Sequence, residues 1–217
     1  EELKHLKDQA AIVQIGELIC RPEEPIALRG QAAQTLIETD HERSFIELDK
    51  IAKDKSLESD CRALALHALW KKDAKRVLPE LMNLAKNSLE PPEVRVAAIT
   101  YLGHSMANWP PRFWDDLYSE KRNPTAVRIA ALGSMEELGL LNGQKSILSK
   151  TIQDIKEALE LRKSAVLTAN RLFSPNDLES ELVSVLSNNE NSLEMRRFAL
   201  NNLAGSADEA LVPKLKQ

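Results

Sequence analysis

One short pattern of apolar and polar residues recurs along the chain. It consists of an apolar residue, Arg, two variable residues, Ala, an apolar residue, two variable residues and usually Leu. Counted from the Arg, positions −1, +3, +4 and +7 are apolar, which is the spacing of one face of an α-helix. The pattern therefore predicts an amphipathic helix, here named helix B, in each copy. The copies are Leu28-Arg29-GQAAQTL, Cys61-Arg62-ALALHAL, Val94-Arg95-VAAITYL, Val127-Arg128-IAALGSM, Leu161-Arg162-KSAVLTA and Met195-Arg196-RFALNNL.

The copies are almost evenly spaced, with steps of 33, 33, 33, 34 and 34 residues between their arginines. Amphipathic stretches such as Phe45-IELDKIA and Leu178-ESELVSVL lie between them and predict a second helix, helix A, in each repeat. A period of this length indicates a repeat array. We expect an all-α fold, a single solenoid domain over 1–217 made of about six helical hairpins and a terminal helix. The expected bounds are 2–40, 41–72, 73–107, 108–140, 141–173, 174–205 and, for the terminal helix, 206–217.

The fixed Arg that opens the second helix, followed by Ala and Leu, resembles the HEAT repeat. The ankyrin Thr-Pro-Leu-His motif and the tetratricopeptide helix A pattern do not occur. The short period is most similar to the phycobilisome-lyase HEAT-like subclass. The resemblance covers essentially the whole chain and implies a right-handed α–α superhelix of the ARM type. It also implies that Arg62, Arg95, Arg128 and Arg162 bridge neighbouring repeats, each paired with an acidic loop residue.

Composition narrows the classes of partner. The formal net charge is −4 and neither half of the chain has a basic surplus, which argues against a nucleic-acid binder. Cys61 occupies a repeating apolar position, so we interpret it as a buried free thiol. No metal-binding spacing occurs, and no cofactor is expected. No apolar run is long enough to cross a membrane, and we expect a cytoplasmic protein, although the chain opens on Glu1 rather than Met.

The solvent-facing positions of helix B are expected to be +1, +2, +5 and +9. If these positions line the concave face of the array, they form an apolar strip in the middle repeats, flanked by polar and charged residues. Such a strip is typical of an interaction surface, although a tightly wound superhelix would instead bring these residues into contact with one another. The candidate partner-binding residues are His67, Lys71, Val96, Thr100, His104, Ile129 and Glu137, together with Trp109 on a loop. The expected partner is another protein or a peptide.

Repeat four concentrates aromatic residues around an unusual helix A beginning at Pro110. Aromatic side chains are common at binding hot spots. We interpret Trp114 and Tyr118 as bulky residues that fill space beside a shortened helix. Trp109, which lies outside that helix, is the more open of these aromatics.

The sequence offers little support for catalysis, and we predict a non-catalytic scaffold with no catalytic residues. The alternative is an enzyme or enzyme subunit on the same fold. One form is a bilin-lyase-like chaperone, which no residue here selects. Another is a HEAT-like DNA glycosylase, for which Trp109, Asp115 and Arg128 supply the residue types. The repeated His-Glu pairs of deoxyhypusine hydroxylases do not recur within the helices.

Overall fold

The computed structural model describes residues 9–39, 42–105 and 109–204. The described residues form eleven α-helices and no strand, which confirms the all-α class. The chain divides into two compact units, named here unit 1 (Glu1–Trp109) and unit 2 (Pro110–Gln217). Each unit is described by itself, and the single domain over 1–217 stays a prediction.

Unit 1 contains three antiparallel helical hairpins. The second and third share one long helix, because helix B of repeat two continues directly into helix A of repeat three. Asp73 interrupts this helix with non-helical backbone angles (φ −154°, ψ 84°). The resulting kink lies at the repeat boundary predicted between residues 72 and 73. The helices are α1 (Gln9–Ile19), α2 (Ile26–Glu38), α3 (Glu42–Lys53), α4 (Ser59–Lys86) and α5 (Pro92–His104).

Unit 2 contains three further hairpins, so six hairpins are confirmed among the described residues. Helix A of repeat four, expected to be shortened, is a short regular helix that buries Trp114 and Tyr118. The interpretation of these two residues as space-filling is confirmed. The terminal helix over 206–217 and the repeat boundary near 107 lie outside the described residues. The helices are α6 (Pro111–Ser119), α7 (Thr125–Glu137), α8 (Lys145–Gln153), α9 (Leu159–Leu172), α10 (Pro175–Ser187) and α11 (Leu193–Ala204).

Two features of the repeat explain how the hairpins close. Three B helices begin directly after a proline, Pro25, Pro91 or Pro124, whose fixed φ suits the residue that precedes a helix. The alanine at +3 is buried in all six repeats, where a larger side chain would hold the paired helices apart. These alanines are Ala32, Ala65, Ala98, Ala131, Ala165 and Ala199.

The six repeat arginines share one hydrogen bond within their own hairpins. Each Nε donates to the backbone carbonyl ten residues earlier, at the end of helix A, over 2.7–3.1 Å. Carbonyls in the last turn of a helix lack intrahelical donors, so this bond satisfies one of them. The arginine therefore ties the end of helix A to the start of helix B. The pairs are Arg29–Ile19, Arg62–Ala52, Arg95–Ala85, Arg128–Tyr118, Arg162–Ile152 and Arg196–Leu186.

The predicted bridges to the next repeat are confirmed for two arginines. Arg62 Nη2 lies 2.6 Å from the Glu90 carboxylate. The two terminal nitrogens of the Arg128 guanidinium, Nη1 and Nη2, donate to the Glu157 carboxylate at 2.6 and 3.0 Å. For Arg162 the expectation of an acidic partner is wrong, because Nη2 donates instead to the amide oxygen of Asn191 at 2.6 Å. A neutral oxygen suffices there because the bond needs only an acceptor. The acidic partner of Arg95 stays a prediction.

The interpretation of Cys61 as a free thiol is also wrong. Cys61, in the first turn of α4, forms a disulfide with Cys20, which follows α1, and their Cα atoms are 4.9 Å apart. The hairpin repeat places the end of one helix A beside the start of the next helix B, which brings together two residues 41 positions apart. Disulfides persist in oxidising compartments and are rare in the cytosol. The cytoplasmic location expected from the sequence is not tested by the structure and stays a prediction.

Among the described residues, no helix combines the length and the apolar character needed to cross a bilayer.

Candidate binding surface

The positions predicted to face solvent on helix B are open in the structure. None of the described residues at +1, +2, +5 and +9 is buried in any repeat. In repeats two and three the positions at +1 and +2 are small or aliphatic, and Val96 is half-buried. Thr100 at +5 donates its hydroxyl to the Val96 carbonyl at 2.9 Å, so this hydroxyl is already used within its own helix.

A group of aromatic rings lies between α4 and α5 on this face. Tyr101 of α5 stacks against His67 of α4, with ring centroids 5.7 Å apart and planes inclined by 21°. The same tyrosine stacks against Trp70, one turn along α4, at 5.4 Å and 20°. His104 extends the group, 5.7 Å from Trp70 and 6.4 Å from Tyr101. We name these four residues the aromatic patch: His67, Trp70, Tyr101 and His104.

The aromatic patch is partly open to solvent. His67, Trp70 and Tyr101 are half-buried and His104 is exposed. The indole Nε1 of Trp70 is buried and makes no hydrogen bond with the described residues, so this ring is held by contacts of its faces and edges. Stacked rings lose little conformational freedom on binding, and aromatic residues dominate binding hot spots.

One cation lies over the aromatic patch. The Lys71 ammonium is 4.9 Å from the centre of the Trp70 ring, within the range of a cation–π contact. Burial lowers the pKa of His67, and the positive charge of Lys71 lowers it further. Burial raises the pKa of Tyr101, so its phenol stays neutral. At neutral pH the His67 and Tyr101 rings are therefore uncharged, and the Lys71 ammonium lies at the edge of the group.

The structure brings together only part of the predicted site. Three of the candidates contact a ring of Trp70 or Tyr101, two residues that were not themselves among the candidates. These three are His67, Lys71 and His104. Trp109 is half-buried at the end of unit 1, whereas Ile129 and Glu137 lie on α7 of unit 2. A single surface that includes all eight candidate residues stays a prediction.

Trp70 is one of the two functional candidates that sequence reasoning missed. It occupies position +8 of repeat two, which lies outside both the core positions and the predicted open positions. A usable signal was present, since Trp70 and His67 are one helical turn apart and Tyr101 follows 34 positions after His67, close to one repeat period. Comparing aromatic positions between adjacent repeats would have suggested contact.

Unit 2 has a groove of about 570 Å³ on its last two B helices. Lys163 lies 5.7 Å from the centre of the Phe198 ring, a contact similar to that of Lys71 with Trp70. Here, however, the cation is already neutralised, because Lys163 pairs with Glu194 at 2.5 Å. Lys163 is therefore less available to a partner than Lys71 is.

The geometry disfavours the DNA glycosylase alternative. Arg128 is 6% exposed, and its guanidinium is committed to Glu157 and to the Tyr118 carbonyl. It is therefore unable to contact DNA without unfolding the repeat junction.

The described part of the chain contains no group of three or more His, Cys, Asp or Glu side chains arranged to hold a metal ion.

Comparisons with known proteins show a similarity to solved structures only. No family model matches the sequence, and no curated protein matches it. The chain is similar to the structure of human deoxyhypusine hydroxylase in complex with glycerol, with 16% sequence identity and a TM-score of 0.44. The alignment covers 96% of this chain and 89% of the hydroxylase chain.

Proposed function

We propose that this protein is a non-catalytic scaffold that binds a segment of another protein on the aromatic patch of unit 1. The observation that carries the proposal is the stack of Tyr101 on His67 and Trp70 across two adjacent helices. Single helical hairpins have no pocket of their own, so an array binds through surfaces built from several repeats. The aromatic patch is such a surface.

Energetic considerations support the same site. Aromatic side chains contribute large apolar contact areas, and covering a ring removes that area from water at about 25 cal/mol per Å². The rings are already held against each other, so a partner does not have to order them. Two of the open positions on α4 and α5, Ala63 and Ala97, are small and allow a peptide backbone to approach closely.

We further propose that the repeats belong to the short-period HEAT-like subclass that is similar to phycobilisome lyases. The arginine spacing of 33–34 residues supports this assignment. The subclass concerns the repeat and carries no bilin chemistry to this chain.

Site-specific photocrosslinking tests the function. A photoreactive amino acid replaces His104, which is exposed on the aromatic patch, and in a matched variant it replaces Asn83, which is exposed on helix A of repeat three. We expect the His104 variant to capture a partner that the Asn83 variant does not. The partner is then titrated against the Tyr101→Ala variant, and we expect binding at least about tenfold weaker with the helical content unchanged. Equal capture at both positions, or unchanged affinity of the Tyr101 variant, would contradict the proposal.

A further inference from the structure

Lys71 is the cation that lies over the aromatic patch, against the Trp70 ring. Its side chain is exposed and makes no ion pair with any described residue. By contrast, Lys53 pairs with Asp49 at 2.8 Å, and Arg76 pairs with Glu42 at 2.6 Å. The only described interaction that holds Lys71 in place is the Trp70 ring.

Among the described residues, the acidic residue at the equivalent position of the preceding repeat makes no ion pair with Lys71. Glu38 occupies the same +9 position on α2, but its carboxylate accepts a hydrogen bond from Gln34 at 2.9 Å. Thr100, on the neighbouring helix, uses its hydroxyl within α5. The positive charge at the edge of the aromatic patch therefore stays available to a ligand. The lowered pKa of His67, caused by burial and then by Lys71, is consistent with a local positive potential.

We infer that the segment bound on the aromatic patch is acidic: an Asp or Glu side chain of the partner pairs with Lys71, and an apolar residue beside it packs on Trp70 and Tyr101. This inference rests on the proposed function and specifies its ligand. The apolar platform excludes water from one side of the ion pair. The attraction between the two charges is therefore stronger than in a fully exposed pair. Electrostatic complementarity of this kind also selects between partners and raises the association rate.

A peptide carboxylate fits this surface better than a nucleic acid does. Binding to a polyanion gains affinity with each phosphate that a cation neutralises. Beside the aromatic patch the structure places one ammonium that has no ionic partner among the described residues, and the whole chain has a net charge of −4. One cation next to several rings matches a ligand that carries one acidic group and one apolar side chain.

Peptide selection tests the inference. A phage-displayed library of random twelve-residue peptides is selected on the complete protein. We expect the enriched peptides to carry Asp or Glu adjacent to an aromatic or aliphatic residue. The most enriched peptide is synthesised, and its Kd is measured by fluorescence anisotropy against the wild type and the variants.

Lys71→Met should weaken binding of that peptide about tenfold, and Lys71→Glu should weaken it further. Replacing the peptide's acidic residue with Lys should restore binding to Lys71→Glu. Lys163→Met is the matched control, because it removes a lysine that also lies over a ring but is already paired, and it should leave the Kd unchanged. Lys71 variants are expected to fold normally because the side chain is exposed.

The outcomes separate the two proposals. Enriched peptides that are neutral, and that lose affinity with Tyr101→Ala but not with Lys71→Met, would overturn the acidic ligand and leave the binding site standing. Peptides that bind both variants like the wild type, or the absence of any enrichment, would count against both. A duplex or single-stranded oligonucleotide that binds more tightly than the selected peptide at physiological salt would also overturn the inference.

Discussion

Arg62 donates a 2.6 Å hydrogen bond from Nη2 to Glu90, and each of the two side chains is only 2% exposed. The residues lie in neighbouring repeats, 28 positions apart. Since Arg62 Nε also binds the Ala52 carbonyl, one side chain connects the end of helix A, the start of helix B and the loop of the next repeat. The repeat arginines are therefore structural residues of the array.

Arg62→Ala should destabilise unit 1 by about 3 kcal/mol, because it leaves a buried carboxylate without its closest partner. The loss stays near the lower end of the range for buried pairs because Lys55 also contacts Glu90, at 3.1 Å. Glu90→Gln keeps an acceptor, as Asn191 does for Arg162, and should cost less. Urea unfolding followed by circular dichroism measures both. Lys53→Ala, which removes an exposed ion pair, is the control and should lower the free energy of unfolding by less than about 0.5 kcal/mol. If Arg62→Ala lowers it no more than this control does, Arg62 does not have the structural role.

The Arg128–Glu157 pair predicts acid sensitivity of unit 2. Hydrogen bonds from the Arg128 guanidinium hold the pKa of Glu157 below its ordinary value of about 4.5. Because the folded-state pKa is lowered, the stabilisation is complete above about pH 4.5 and is lost as the pH falls through the lowered pKa. The free energy of unfolding of the wild type should therefore exceed that of Glu157→Gln at pH 7. The difference should shrink between pH 4.5 and pH 2, and a difference that grows with falling pH would contradict this assignment.

Much of the fold follows from the sequence, whereas the site follows only in part. The arginine period predicts six hairpins because each arginine makes the same local bond at the same place in its hairpin. Glu90 and Asn191 were not identified as partners, although they follow their arginines by 28 and 29 residues. The contact of Trp70 with Tyr101 depends on how one helix lies against the next, which the periodicity of a single helix does not contain. The Cys20–Cys61 bond was missed for the same reason.

The disulfide predicts redox-dependent stability. Cys20–Cys61 closes a loop of 41 residues, and a cross-link of that span contributes about 4 kcal/mol in the chain-entropy description. Adding dithiothreitol should lower the melting temperature of the wild type towards that of a Cys20→Ser/Cys61→Ser variant, which should itself not respond to reductant. Intact mass should increase by two hydrogen atoms on reduction. Two titratable thiols in protein purified without reductant would show that the bond is not formed.

Among the described residues, Arg29 Nη2 has no acceptor, whereas the same atom has one in Arg62, Arg128 and Arg162, and this predicts a stabilising substitution. Its side chain is 6% exposed, and Nη2 makes no hydrogen bond with the described residues. Leu57 stands where the following repeat has Glu90, since each residue donates its backbone N–H to the carbonyl three residues earlier in its loop, at 3.2 and 3.1 Å. A buried donor without an acceptor costs about 1–3 kcal/mol.

Leu57→Glu should therefore raise the free energy of unfolding by about 1 kcal/mol, because the new carboxylate supplies the acceptor and outweighs the loss of a half-buried leucine. Leu89→Glu is the control. It makes the same change at a residue that is 86% exposed and lies next to Glu90, and it should leave the free energy of unfolding unchanged. A double-mutant cycle with Arg29→Met isolates the interaction. If Leu57→Glu stabilises the protein equally in the Arg29→Met background, the gain does not come from Arg29, and the equivalence of Leu57 with Glu90 is wrong.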